Sequence, residues 1–239
     1  MILYYALGGG LGHLARARKV IAALGLRDVA VLTASRFAGD PRVNGGLPLV
    51  LVPPSLGRDR PRFVSWLSGV LSEFDELIVD SFPGGILGEL CELSLPPARH
   101  ISRRLRWEVY NERLSGPLPS FSTVYAVEPG GLPGAPLALP RAPVGPPLAD
   151  EPHWLVVHSG PRRELDVLLA HALGAPRLIV VSGAEIYPVE GHLAHAERII
   201  TGAGFNLMQE TAPFRDRHVF VPFPRVLDNQ FARAAVARS

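Results

Sequence analysis

The residues best suited to chemistry in this chain stand directly after short apolar runs. Gly8-Gly9-Gly10-Leu11-Gly12-His13 follows the apolar stretch at residues 2–7. Glycines let backbone approach a ligand closely, and the N-terminus of a following helix favours negative charge, although tight packing of helix on strand selects glycine too. His13 offers an imidazole that titrates near neutrality, as a general base must; the alternative is a hydrogen-bonded residue of the helix start. Asp80, in Ile78-Val79-Asp80-Ser81-Phe82-Pro83-Gly84-Gly85, closes a second apolar run. Open α/β sheets place ligands at that end of a strand, so Asp80 could orient a hydroxyl or His13; capping the turn that follows is the other reading.

Three further groups lie elsewhere in the chain. Thr201-Gly202-Ala203-Gly204-Phe205-Asn206 leads into a helical stretch carrying Glu210, then come Val221-Pro222-Phe223-Pro224 and Asp228-Asn229-Gln230. The glycine turn can set backbone N–H groups against phosphate, and Glu210 can accept from sugar hydroxyls; a solvated Glu210 and a helix-capping Asp228 are the plain alternatives. His158-Ser159-Gly160-Pro161 ends another apolar run, with Ser159 and Gly160 on the expected phosphate side and Pro161 suited to a first helical position. Arg99, Arg103, Arg104 and Arg106 surround one strand-to-helix junction, where they could hold an anion or form a solvated face.

Composition excludes several classes. Of 24 Lys+Arg residues only Lys19 is a lysine, and it follows no phosphate-loop glycine pattern, so Schiff-base and P-loop chemistry are disfavoured. The relaxed dinucleotide fingerprint through Gly10, Gly12 and Ala15 lacks an acidic residue after the next strand, near Thr33-Ala34, which disfavours NAD. There is no Gly-x-Ser-x-Gly elbow, and the histidines show no paired metal spacing with carboxylates, so no metal and no cofactor is expected. The formal charge of +2 suits an anionic small ligand, without the basic, aromatic-interleaved stripe that nucleic acid requires. Cys91 cannot form an internal disulfide and reads as an inert thiol. No apolar run approaches the roughly 20 residues of a membrane helix and no basic leader is present, so the expected location is cytoplasmic.

These residues need a scaffold of alternating strands and helices. Strands are expected at 2–7, 28–33, 48–52, 76–80, 98–102 and 122–127, with helices at 13–24, 61–74, 85–94 and 104–113. Glu128–Pro152 holds eight prolines and four glycines, which no helix or central strand survives. Alternation then restarts, with strands near 153–158, 177–182, 197–201 and 218–221 and helices near 162–173, 205–212 and 228–238. The expected plan is α/β: a Rossmann-like domain at 1–128, a linker at 129–152 and a second, compact or truncated Rossmann-like domain at 153–239, facing the first across a central cleft.

The loop Gly8 to His13, and the series Thr201 to Glu210, Val221 to Pro224 and Asp228 to Gln230, resemble in order and placement the two motifs of GT-B glycosyltransferases related to the peptidoglycan N-acetylglucosaminyltransferase. The resemblance implies metal-independent sugar transfer from a nucleotide-diphosphate sugar, a UDP-sugar foremost, to an unidentified acceptor, with peripheral membrane contact if that acceptor is a lipid. It implies an acceptor side with Gly9, Gly10, Gly12 and Arg16, where His13 or Asp80 takes the acceptor's proton. It places Glu210 on the donor ribose, Gly202, Gly204, Phe205 and Asn206 at the diphosphate, and Asp228, Asn229 and Gln230 near the donor sugar. The family's closing helix is not found after Gln230. Gly10-x-Gly12-His13-x-x-Arg16 also resembles the compact sugar-nucleotide hydrolase of pseudaminic acid synthesis, where water replaces the acceptor. An inactive nucleotide-sugar-binding protein is the third reading.

Overall fold

Strands rich in Val, Ile and Leu on both faces can only be buried between layers, which is how parallel sheets arise. The computed structural model describes residues 1–57 and 59–238. It divides into two compact units: the first comprises Met1–Gly9, His13–Pro140 and Val226–Asp228, the second Gly10–Gly12, Arg141–Arg225 and Asn229–Ser239.

The first unit runs β1 (Ile2–Tyr5), α1 (Leu11–Ala23, its first two residues counted with the second unit), β2 (Val29–Thr33), α2 (Pro41–Asn44), β3 (Leu49–Leu51), α3 (Arg60–Leu71), β4 (Glu76–Asp80), β5 (Ala98–Ser102), α4 (Trp107–Asn111), β6 (Thr123–Ala126) and β7 (Ala135–Pro136). Its seven strands are all parallel in the order β3-β2-β1-β4-β5-β6-β7. Chain order reverses at β1, which has β2 on one side and β4 on the other. Leu3, Tyr5, Leu32, Leu77 and Val79 pack on one face beneath Phe63 and Leu67 of α3. Asp59 caps α3 by accepting from the Arg62 N–H, with a proline in the first turn, so this helix starts as capping rules require.

The second unit runs β8 (Trp154–His158), α5 (Arg162–Ala170), β9 (Leu178–Ser182), β10 (Arg198–Gly202), α6 (Phe205–Glu210), β11 (His218–Val221) and α7 (Gln230–Val236). Its four parallel strands lie in the order β11-β10-β8-β9, with the reversal between β8 and β10. Leu165 and Leu168 of α5 cover Val156 and Ile200, and a 3-10 segment, Val189–His195, puts Leu193 on the opposite face with Leu155 and Ile199.

Several expected elements are shortened. The helix expected at 85–94 is a single 3-10 turn, Glu89–Glu92, because Gly85 and Gly88 take φ of 86° and 81°, which a helix cannot contain. The helix expected at 104–113 is only α4, and the one at 13–24 starts earlier, at Leu11, which puts Gly12 inside it. Within the Pro/Gly-rich stretch, Ala135–Pro136 adds a two-residue edge pairing to β6, the sheet position proline tolerates. The next part of that stretch is held by the second unit: His192 Nδ1 and His195 Nε2 contact the carbonyls of Pro146 and Gly145 at 2.7 and 2.8 Å.

Two buried histidines set an acid limit on stability. Burial lowers His100 to about 4, and burial together with Arg215 lowers His218 to about 3. An unfolded chain protonates both near pH 6.5, whereas the fold leaves them neutral, so the unfolded state binds more protons and stability falls as pH drops from about 6.5 toward 4. Thermal melts between pH 7.5 and 4.5 should show this fall, and His218→Asn should flatten it.

Candidate functional site

Ligands of open α/β sheets bind beyond the carboxyl ends of the strands where chain order reverses. In the first unit those strands are β1 and β4, followed by the Gly8–His13 loop and ended by Asp80. In the second they are β8 and β10, ended by His158 and Gly202.

His13 and Asp80 meet. The imidazole Nδ1 lies 3.2 Å from Asp80 Oδ2, and its ring is 6.0 Å from that of Phe82. Asp80 is fully buried and accepts from Arg16 Nε at 2.7 Å, with Arg16 Nη2 on its second oxygen and the Tyr4 hydroxyl 3.4 Å away. Burial alone would raise the Asp80 carboxyl, but Arg16 beside it and hydrogen bonds from His13 and Arg16 hold it well below the usual carboxylate range. An ionised carboxylate only accepts, so the 3.2 Å contact is an Nδ1–H donating to Asp80, which leaves the lone pair on Nε2. Arg16 Nη2 also stands 3.2 Å from Nδ1, but its hydrogens have better acceptors in Asp80 and Ser81. Burial lowers the His13 imidazole, with Arg16 and Arg103 pushing the same way and Asp80 opposing, so the ring is neutral at pH 7.

Gly8 is the glycine this geometry requires. A Cβ there would sit 2.3 Å from His13 Cδ2 and 2.4 Å from Nε2, whereas Gly9 and Gly10 face open space. Gly12 belongs with the second unit, where its carbonyl accepts from Asn206 Nδ2 at 3.0 Å.

In the second unit, Gly202 closes β10, Gly204 precedes α6, Phe205 is buried at its start and Glu210, 8% exposed, ends it. α6 itself is six residues long, Phe205–Glu210. The turn is braced from behind. Thr201 Oγ1 donates to the Gly202 carbonyl and accepts from His218 Nε2, each at 2.9 Å, while His218 Nδ1 accepts from Arg215 at 2.7 Å. Ser159 and Gly160 are exposed at the end of β8. Beneath Gly160 lies buried His158, whose Nε2 has no hydrogen-bond partner among the described residues and stands 3.3 Å from Glu164 Oε2; Arg225 grips Glu164 with two bonds of 2.6 Å. A Cβ on Gly160 would fall 2.6 Å from that Nε2.

The last motif is turned inward. Asp228 accepts from Arg103 Nη1 at 3.0 Å, Asn229 caps α7 through the Ala232 N–H, and Gln230 Oε1 accepts from the Phe223 N–H at 3.0 Å. The capping role open to Asp228 thus belongs to Asn229. Of the arginines around β5, Arg99 bonds Glu76, Arg103 bonds Ser81 and Asp228, and Arg106 bonds Glu108, so these three are engaged within the protein. Sequence reasoning missed Ser81, Glu164 and Arg225, whose partners are distant in the chain, and the neighbouring pair Arg215 and His218, which matters here only because the fold brings Thr201 against His218. Ser81 alone carried a local signal, standing next to Asp80 before a Phe-Pro-Gly-Gly turn. Among the described residues no group of three or more His, Cys, Asp or Glu could hold a metal ion, and no helix is long and apolar enough to cross a membrane.

No protein-family model and no curated protein sequence matches the chain. Solved structures do. The glycosyltransferase SnogD from Streptomyces nogalater superposes with a TM-score of 0.54 at 15% identity, over 99% of this chain and 84% of that one. A Streptomyces glycosyltransferase, SsfS6, complexed with thymidine diphosphate, gives 0.53 at 14% over 93% and 82%. Acinetobacter baumannii MurG gives 0.51 at 15% over 100% and 83%. With its two parallel-sheet Rossmann-like units, the chain has the fold of the GT-B glycosyltransferases.

Proposed function

We propose that the protein is a glycosyltransferase that uses a nucleoside-diphosphate sugar as donor. The observation that carries this reading is the pair His13–Asp80 at the order reversal of the first sheet, with Nδ1–H held by a buried carboxylate and Nε2 left as the base. The anomeric C–O bond to the diphosphate breaks and its electron pair leaves with the diphosphate. The acceptor oxygen bonds to the anomeric carbon, and its proton passes to His13 Nε2. Asp80 stays ionised, orienting the ring and stabilising the imidazolium as it forms. The second unit receives the donor. The turn from Gly202 to Asn206, with Ser159 and Gly160, faces the diphosphate with backbone N–H groups, and Glu210 accepts from the ribose hydroxyls. The thymidine diphosphate of the SsfS6 complex supports a nucleoside-diphosphate ligand. We favour a UDP- or dTDP-sugar, and a cytoplasmic location where such donors are made.

A thermal-shift panel tests the donor class. UDP- and dTDP-sugars should raise the melting temperature, while the corresponding free sugars should not, because a ligand that binds only the folded state stabilises it by mass action. A panel in which no nucleotide shifts the transition would remove the reading.

A further inference from the structure

The proposed chemistry uses His13 and Asp80, with Arg16 on the Asp80 carboxylate, and the charged network does not stop there. Arg16 Nη2 also donates to Ser81 Oγ at 2.7 Å, the same hydroxyl accepts from Arg103 Nε at 2.9 Å, and Arg103 Nη1 reaches Asp228 Oδ1 at 3.0 Å. Exposure is 3% for the Arg16 side chain, 7% for Arg103 and 15% for Asp228. Two guanidinium groups therefore share one buried hydroxyl. Like charges so close, and so dry, require a carboxylate each; Asp80 serves Arg16 and Asp228 serves Arg103. Ser81 holds a φ of 69°, a left-handed backbone that non-glycine residues avoid unless their surroundings impose it. The Phe82 N–H donates to the Asp80 carbonyl at 2.8 Å, closing the tight turn that holds Ser81 in this conformation beneath the two arginines. Asp228 is itself fixed through its backbone: it bridges Leu105, and the Leu227 carbonyl accepts from the Arg106 N–H at 2.8 Å.

Building on the proposed function, we infer that Arg103, held by Asp228, is a positioning residue for His13: it fixes Ser81, and through it the Arg16–Asp80 pair that orients the imidazole. The role of Asp228 is then to hold an arginine beneath the base, in place of contacting the donor sugar. The charged groups facing His13 are Asp80, Arg16 and, further off, Arg103; the Phe82 ring and Gly8 also lie against it.

The test compares wild type with Arg103→Gln, Asp228→Asn and Asp228→Glu in the full chain, each checked for a cooperative melt. Histidine ring 15N spectra are recorded against pH, with His13 assigned by its loss in His13→Gln. In Arg103→Gln the His13 midpoint should move up, because a nearby positive charge is gone, and the Nδ1–H tautomer should lose its dominance. With UDP-N-acetylglucosamine and dTDP-glucose as probes, kcat for nucleoside diphosphate release should fall about tenfold in Arg103→Gln and Asp228→Asn. KM for the donor should stay within about twofold, the pattern of an interaction felt only in the transition state. Asp228→Glu should recover most of the loss. His13 midpoints and tautomers unchanged in folded Arg103→Gln would overturn the inference, and so would Asp228→Asn raising donor KM with kcat intact. If Arg103→Gln fails to fold, Arg103→Lys decides: one ammonium cannot hold Ser81 and Asp228 as a fork does, so its His13 tautomer balance should still change. Absence of turnover with every donor would count against glycosyl transfer, while the spectra alone would still decide the positioning role.

Discussion

His13→Ala should lower turnover by about 10²–10⁴-fold while leaving nucleotide affinity within about twofold, since proton abstraction is felt in the transition state and hardly in ground-state binding. The pH profile of wild type should show the same group. His13 is held below its ordinary pKa by burial and by Arg16 and Arg103, so the acid limb of kcat/KM should have its midpoint below that of an ordinary imidazole, with full rate retained above it. Asp80→Asn should be nearly as damaging. It removes the acceptor that fixes the Nδ1–H tautomer, and it leaves the buried Arg16 without its carboxylate, so part of the loss should appear as a lower melting temperature. Stopped assays of nucleoside diphosphate release, paired with calorimetric binding of the free nucleotide, separate these effects. Full turnover in His13→Ala would exclude His13 as the base.

Glu210→Ala should weaken binding of a nucleoside diphosphate by roughly 1–3 kcal/mol, because the role proposed for this buried side chain is a charge-assisted hydrogen bond to the ribose. That corresponds to roughly 5–150-fold in Kd at 25 °C. The loss should vanish for a sugar diphosphate lacking the nucleoside, which identifies the ribose as the group that Glu210 serves. Calorimetric titration with UDP, dTDP and glucose diphosphate measures all three arms. Equal affinity of wild type and variant for the nucleotides would make Glu210 a structural residue at the end of α6.

The parts of the fold that were legible are those that local physics decides. Strands β4, β5 and β11 occur at the expected residues, and β4, with Leu77, Ile78 and Val79 buried in succession, shows the apolar run that a strand covered on both faces of a parallel sheet leaves in the sequence. His13, Asp80 and Gly202 were legible as site candidates for the same reason, each ending a strand or following one directly. The stretch 85–94 was misread because its apolar spacing is helical while Gly85 and Gly88 need left-handed backbone, and a glycine's conformation cannot be read from its neighbours. The supporting networks were invisible for a different reason. Arg225 and Glu164 are 61 residues apart, Asp228 and Arg103 are 125 apart, and only the folded chain brings either pair together. Residue types alone gave Asp228 a choice between capping and ligand binding; the structure has Asn229 as the cap and an arginine on the aspartate.

Transfer of a sugar from a nucleotide is tested most directly by product analysis. Wild-type protein is incubated with whichever UDP- or dTDP-sugar stabilises it most, in water and with a pool of hydroxyl acceptors, and the products are resolved by mass spectrometry. The expected result is stoichiometric release of the nucleoside diphosphate together with a glycoside of one acceptor, both lost in His13→Ala. Release of free sugar alone would assign the protein to hydrolysis. An intact donor under all conditions, despite tight binding, would contradict catalysis and leave a nucleotide-sugar-binding protein.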